Sequence, residues 1–220
     1  MSLYTEEMKL IAVSIGKPRT VKNEAGEELY SGIFKNQVEE AHLTKDGFIE
    51  DDVADKKHHG GRDRAVCVYS VEHYTNWMKE FQTRLPISAI GENLLVENML
   101  EENIHIGDRF AIGETIIEVT QGRIPCNTIN KRTGIAQFMK RMIETGHTGY
   151  LCRVIKEGKI TKHDKIEKVF EHPEKVTLSY AHSIYFFQKQ SKEGIEKVLK
   201  VDALADEWRD KFEKMLSRLS

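Results

Sequence analysis

Thr115-Ile116-Ile117-Glu118-Val119-Thr120-Gln121-Gly122-Arg123-Ile124-Pro125-Cys126-Asn127 joins an apolar alternating run, Thr115 to Thr120, to a connection that carries a thiol. Alternation with period two predicts a strand, and a cysteine just past a strand end faces a cleft. Pro125 fixes its own φ and holds Ile124 extended, so the backbone ahead of the sulfur is stiff. Arg123, Lys131 and Arg132 flank the thiol in sequence. Nearby cations lower a thiol pKa and raise the share of thiolate, the form that attacks electrophiles and ligates metals. Two readings stand: a reactive or metal-binding Cys126, or a small buried hydrophobe.

The 220 residues, 40% of them hydrophobic, suffice for a sizeable core, one full domain and a small second unit. Lys and Arg total 33 against 35 Asp and Glu, a net charge of -2. Nothing in that balance pulls toward nucleic acid or a membrane surface, so any anion site is local. Met1 to Lys9 contains Glu6 and Glu7 and no apolar run of signal length, and no stretch approaches a membrane span. The chain is expected to be cytoplasmic. Cys67, Cys126 and Cys152 are far apart and odd in number, which fits reduced thiols and is too few for a four-thiolate iron–sulfur cluster.

Between about Lys9 and Val169 the sequence reads as short strands: Leu10 to Ile15, Gln37 to Leu43, Ala65 to Tyr69, Asn93 to Val96, Arg109 to Ile112, Thr115 to Thr120 and Tyr150 to Ile155. Many short strands predict a mainly β fold, a closed or partly open barrel or a sandwich. Ser70 is placed to cap a helix carrying Val71, Tyr74, Met78 and Phe81, and Ile135, Phe138, Met139 and Met142 repeat at helical spacing before Gly146. After His172-Pro173 the pattern is helical alone: Leu178, Ala181, His182, Tyr185 and Phe186, then Ile195, Val198 and Leu199, then Asp202 as a cap before Leu204, Trp208, Phe212, Met215 and Leu216. The expected division is a β-barrel domain over 1–170 and a three-helix unit over 171–220.

Lys56-Lys57-His58-His59-Gly60-Gly61-Arg62-Asp63-Arg64-Ala65-Val66 leads paired glycines into a strand. Consecutive amides there could form an anion nest, with Arg62 and Arg64 sent to one face by strand alternation; the plainer reading is a tight turn with solvated charges. His58, His59, His73 and Cys67 match no structural zinc spacing. Asn93, in Gly91-Glu92-Asn93-Leu94, could bind a ligand or satisfy its own backbone. Arg153, in Gly149-Tyr150-Leu151-Cys152-Arg153-Val154, could face the same cleft or solvent, and Cys152 reads as core. No Gly-x-Gly-x-x-Gly, P-loop or Gly-x-Ser-x-Gly is present, which argues against a self-contained dinucleotide enzyme, a nucleotidase or a hydrolase with a serine elbow.

Taken in order, these segments resemble the MOSC domain, the family named after the C-terminal domain of molybdenum cofactor sulfurase. The resemblance runs through Ser31-Gly32-Ile33 with Lys35 and Val38, Asp55 with His59-Gly60-Gly61, Asp63, Ala65 and Val66, then Gly91 to Leu94, Ile106-Gly107-Asp108-Arg109 and Ile112-Gly113. It continues through Gln121-x-Arg123-x-Pro125-Cys126, the motif of the family's characteristic cysteine, to Gly149-Tyr150 and Arg153-Val154. The trailing helices resemble the C-terminal unit of the stand-alone YiiM-like branch. Departures are Arg62 and Arg64 for the usual Pro and Lys, Lys162-His163-Asp164 for a common Gly-Asp, and Gly122 for a Pro, a change expected to loosen the turn before Cys126.

The resemblance implies the barrel fold and a molybdenum cofactor, a pterin dithiolene with a terminal phosphate. It makes Cys126 the implied molybdenum ligand and the catalytic residue. His59, Gly60, Gly61, Arg64, Asn93, Arg123, Arg132 and Arg153 are the implied cofactor contacts, with Arg123 ranked first. It further implies reduction of N-hydroxylated bases or related N-oxygenated compounds to amines, a detoxifying role, with electrons from a separate reductase. The C-terminal helices are a candidate docking surface for it, besides packing on the barrel. The alternative is a non-catalytic carrier of cofactor or sulfur through a Cys126 persulfide; a third reading is a structural barrel that has lost its cofactor. Homodimerisation stays open, since no residue argues for it.

Overall fold

The Thr115 segment becomes an interior strand of the main sheet. The computed structural model describes residues 7–22 and 28–219, apart from the side chain of His58. Its strands are β1 Lys9–Ile15, β2 Arg19–Lys22, β3 Glu28–Ser31, β4 Asn36–Val38, β5 Glu40–Thr44, β6 Gly47–Phe48, β7 Val66–Ser70, β8 Leu94–Glu97, β9 Arg109–Ile112, β10 Thr115–Gly122, β11 Tyr150–Lys156, β12 Gly158–Thr161 and β13 Ile166–Phe170. The helices are α1 Lys56–His59, α2 Val71–Glu80, α3 Thr128–Thr133, α4 Phe138–Thr145, α5 Leu178–Phe186, α6 Lys192–Leu199 and α7 Asp206–Ser217. Eight strands form one curled sheet in the order β13-β9-β10-β11-β7-β8-β1-β4, antiparallel except for β7 beside β8. The parallel pair needs a crossover, which α2 supplies. The sheet ends at β13 and β4 without closing, so the architecture is a half-barrel, the partly open form of the expected fold. Register shifts between Ile116 and Ile117 and between Val119 and Gln121 mark bulges in β10, which bend and twist a strand.

One core cluster fills the inside of the half-barrel and runs without a break into the C-terminal helices, joining Val119 and Val154 to Ala181, Val198, Trp208 and Phe212. The helices therefore share the barrel's core. A second cluster on the opposite face packs Tyr69 and Leu95 against Trp77, Ile129, Phe138 and Met142 of α2, α3 and α4. With cover on both sides, β10 is buried almost throughout, including Glu118, Thr120 and Gln121.

Four local expectations differ. Gln37 to Leu43 divides into β4, which pairs with β1, and β5, which pairs with β12 in a separate three-stranded sheet: the chain changes sheets near Glu39. Ser70 stands at the N-cap of α2, but its hydroxyl donates to the Met99 carbonyl at 2.8 Å and caps nothing. Asp202 does not cap the last helix, which starts at Asp206; its carboxylate instead meets His172 Nε2 at 2.9 Å. Gly122 does not act as a hinge: it lies within β10, where an added Cβ would stand 3.0 Å from the Trp208 ring of α7. Glycine there permits the helix to approach the strand.

Beneath α5 lies a buried polar seam. His73 meets Glu101 at 2.7 Å, Glu101 accepts from the Gly149 amide at 2.8 Å, and His147 stacks on His73 at 4.1 Å. Burial pushes the His182 imidazole down to about 4, with Glu101 opposing that shift and His147 adding to it. An imidazole whose folded pKa lies below its unfolded value of 6.5 takes up its proton more readily when unfolded, so stability is full above 6.5 and is lost as pH falls toward 4. The loss amounts to at most about 3 kcal/mol. Denaturant titrations at pH 7 and pH 4.5 should show a smaller acid-dependent loss in His182→Gln than in the native chain; an identical loss would remove His182 from this account.

Candidate functional site

Beyond Gly122 the chain leaves the sheet, held in register by the Arg123 amide on the Gly149 carbonyl at 2.9 Å. Buried Pro125 then turns it into α3, just ahead of which Cys126 lies half-buried. The thiol lines a cavity of about 650 Å³ together with His59, Arg64, Cys67, Gln121 and Arg123, within the size range of small-molecule and cofactor sites. Burial pushes the Cys126 thiol up, but hydrogen bonds from His59 and from the hydroxyl and amide of Thr128, aided by the Arg123 charge, bring it down to about 6. The same bond to Cys126 raises His59 against the opposing effect of its burial. Near neutral pH the thiol is largely thiolate, an activated nucleophile or soft metal ligand, beside an imidazole whose proton affinity is raised.

Arg123 donates through Nη2 to the Ile90 carbonyl at 2.7 Å, while Nη1 is buried with no hydrogen-bond partner. No carboxylate pairs with it among the described residues. A guanidinium left this way calls for an anionic or strongly accepting ligand.

The other expected residues divide. Gly60 and Gly61 line the cavity. Arg64 also lines it, but from a 3₁₀ turn, Arg62–Arg64, instead of a strand, so the two arginines diverge. Arg62 is exposed and pairs with Asp46 at 2.9 Å, while Arg64 donates to the Gly60 carbonyl at 2.8 Å and to Glu207 of α7 at 2.6 Å. Asn93 reaches the cavity wall, yet its side chain is engaged: it accepts from the Cys67 amide at 3.1 Å and donates to Asp51 at 2.9 Å and to the Ser14 carbonyl at 3.2 Å. It braces β1 against β7. Arg132 and Arg153 do not line the cavity. Arg132 lies 4.8 Å over the Phe34 ring. Arg153 lines a separate cleft of about 350 Å³ between barrel and helices, where it bonds Asp63 at 2.9 Å and the Ala203 carbonyl at 3.0 Å. Strand alternation does send Arg153 off the core, but toward the helical unit.

Sequence reasoning missed Thr128 as a donor to the thiol and the buried Lys35–Asp51 ion pair of the cavity wall, whose Asp51 also accepts from the Gly16 amide at 2.8 Å. Lys35 carried a signal, its place in the Ser31-Gly32-Ile33 motif. Glu207 and Lys211 of α7 also line the cavity, 2.7 Å apart. Their spacing of four is common on any exposed helix and gave no signal.

The MOSC domain profile matches residues 55–167 and the profile of the YiiM-like 3-alpha helix domain matches residues 176–219. YflK of Bacillus subtilis is 34% identical over 97% of both chains, and protein YiiM of Escherichia coli is 36% identical over 84% of both. A Gibberella moniliformis protein named reductase is 34% identical over 74% of this chain, which spans only 30% of that longer protein. The crystal structure of YiiM from Geobacillus stearothermophilus superposes with a TM-score of 0.82 at 25% identity, covering 95% of this chain and 99% of its own. The chain belongs to the MOSC domain family, with the helical unit of its YiiM-like members.

In metal-free protein, the alkylation rate of Cys126 by iodoacetamide should rise with pH around a midpoint near 6. His59→Ala should move that midpoint upward and slow the reaction at pH 6.5 several-fold. A midpoint near 9 in the native protein would contradict the hydrogen-bonded thiolate.

Proposed function

We propose that the protein is a molybdenum-cofactor-dependent oxidoreductase that reduces N-hydroxylated bases or related N-oxygenated compounds to amines in the cytoplasm. The observation that carries this reading is the pairing, in one cavity, of a thiol brought down to about 6 with a guanidinium whose Nη1 is buried without a hydrogen-bond partner. A thiolate is a soft ligand suited to a metal that is already sulfur-bound, and the Arg123 Nη1 donor suits a phosphate or a pterin acceptor. The residues present fit the group. Membership of the MOSC family and the relative named reductase support the class of reaction.

Cys126 would hold the metal, Arg123 and the amides around Gly60 and Gly61 would hold the pterin and phosphate, and Arg64 would lend its remaining charge. When bound, the cofactor supplies the two-electron chemistry that an N–O bond requires. His59, whose proton affinity is raised by the neighbouring thiol, lines the cavity and would deliver one proton as the N–O bond breaks. The overall change is R–NHOH plus two electrons and two protons to R–NH₂ and water. The electrons would come from a reductase, since these 220 residues carry no four-thiolate set and no dinucleotide fingerprint of their own.

The test is amine formation from an N-hydroxylated aminopurine by purified protein with a small artificial reductant. One amine per two electrons is expected, with a fall of about a hundredfold or more in Cys126→Ser. Amine formation at an undiminished rate in Cys126→Ser, or none by molybdenum-loaded native protein, would refute the reading. In His59→Gln the turnover rate should fall roughly tenfold to a hundredfold while molybdenum is retained; unchanged turnover would remove the proton-delivery role.

A further inference from the structure

Tyr30 lines the same cavity as Cys126, yet none of the chemistry above uses it. It lies on β3, which pairs with β2 in a two-stranded ribbon separate from the other two sheets. The register sets Val21 opposite Leu29 and Thr20 opposite Tyr30. Side chains alternate along a strand, so these two pairs project to opposite faces of the ribbon. Val21 and Leu29 pack against the second core cluster and anchor one face. Tyr30 belongs to the other and is 62% exposed, more than any other large apolar side chain among the described residues. A cavity-lining residue with so much open surface stands at the cavity's mouth. Its ring has no aromatic or cationic partner and its hydroxyl no hydrogen bond among the described residues. An aromatic ring left in water forgoes the stabilisation that covering it would bring, and a ligand entering the cavity can supply that cover. Ile33, Ile124 and Pro125 add apolar surface to the same walls.

We propose that Tyr30 stacks on the planar ring of an aromatic or heteroaromatic N-hydroxylated substrate and gives the site its preference for such compounds over aliphatic ones. The inference rests on the reductase reading above and names which members of that substrate class the site takes. Stacking selects for a flat π-face without demanding any one pattern of hydrogen bonds, so different bases share the same platform. Tyr30 holds the ring at the entrance, while the half-buried Cys126 and the Arg123 guanidinium act from the deeper wall. The ribbon thereby gains a part in recognition, with its anchored face keeping the opposite face presented to the cavity.

Calorimetric titration in the absence of reductant, with N-phenylhydroxylamine and N-cyclohexylhydroxylamine, compares a planar with a puckered six-membered ring and involves no turnover. Native protein should bind the planar compound about fivefold or more tightly than the puckered one. Tyr30→Ala should erase that preference by weakening the planar compound alone, and Tyr30→Phe, which keeps the ring, should restore it. With reductant present, Tyr30→Ala should raise KM for the planar compound by the same factor while kcat holds. Both variants should keep the native unfolding midpoint and the native molybdenum and pterin contents, because the side chain is exposed. Equal weakening of the two compounds in Tyr30→Ala, no weakening of either, or no binding of either by the native protein would overturn the proposal. Loss of pterin from Tyr30→Ala would overturn it too, by assigning the ring to the cofactor. Binding is read apart from chemistry, so a native protein that holds the planar ring through Tyr30 but forms no amine would refute the reductase reading and leave the stacking role standing.

Discussion

The hydrogen bond between His59 and Cys126 is the interaction on which the arrangement of the site turns. It ties the Gly60-Gly61 loop to the connection leaving β10 and stabilises the charged form of both partners. A half-buried thiol left to itself would be neutral, since burial alone pushes it up. Thr128 and Arg123 add to the opposing effect, so the thiolate results from donors converging from two sides of one cavity. Burial works against the Arg123 charge, and the neighbouring Cys67, Cys126 and Glu92 more than offset it.

Convergence of this kind requires a rigid base, and β10 supplies it. The strand lies between β9 and β11, both of its faces are covered, and its outer end is clamped by α7, whose Ala205 amide donates to the Thr120 carbonyl at 3.1 Å and whose Trp208 covers Gly122. The helical unit is thus structurally continuous with the site, through a shared core and through Glu207 on the cavity wall. A site held by strands and a packed helix keeps its geometry better than one carried on loops alone.

Much of this was legible in the sequence. β9 was read to the residue, β1, β7, β8, β10 and β11 to within one or two, because two-residue alternation survives wherever one face is buried. The short β6, β12 and β13 escaped, since two to five residues carry too little pattern. Capping assignments failed at Ser70 and Asp202 because a tertiary partner claimed each side chain: the Met99 carbonyl in one case and His172 in the other. At the site, the residues contiguous with the cysteine motif were found, whereas Arg132, which follows Cys126 closely in sequence, and Arg153, expected from its strand and the family resemblance, lie elsewhere in space. Glu207 and Lys211 come from a helix some eighty residues downstream of Cys126 and become part of the wall only through tertiary packing.

Elemental analysis for molybdenum, with pterin detection, tests the central claim most directly when native chain and Cys126→Ser are purified from the same cofactor-producing host. Near-stoichiometric metal in the native protein and its loss in the variant is the result predicted here. Equal metal in both proteins, or none in the native chain from a host that loads other molybdoenzymes, would contradict Cys126 as the anchor of the site.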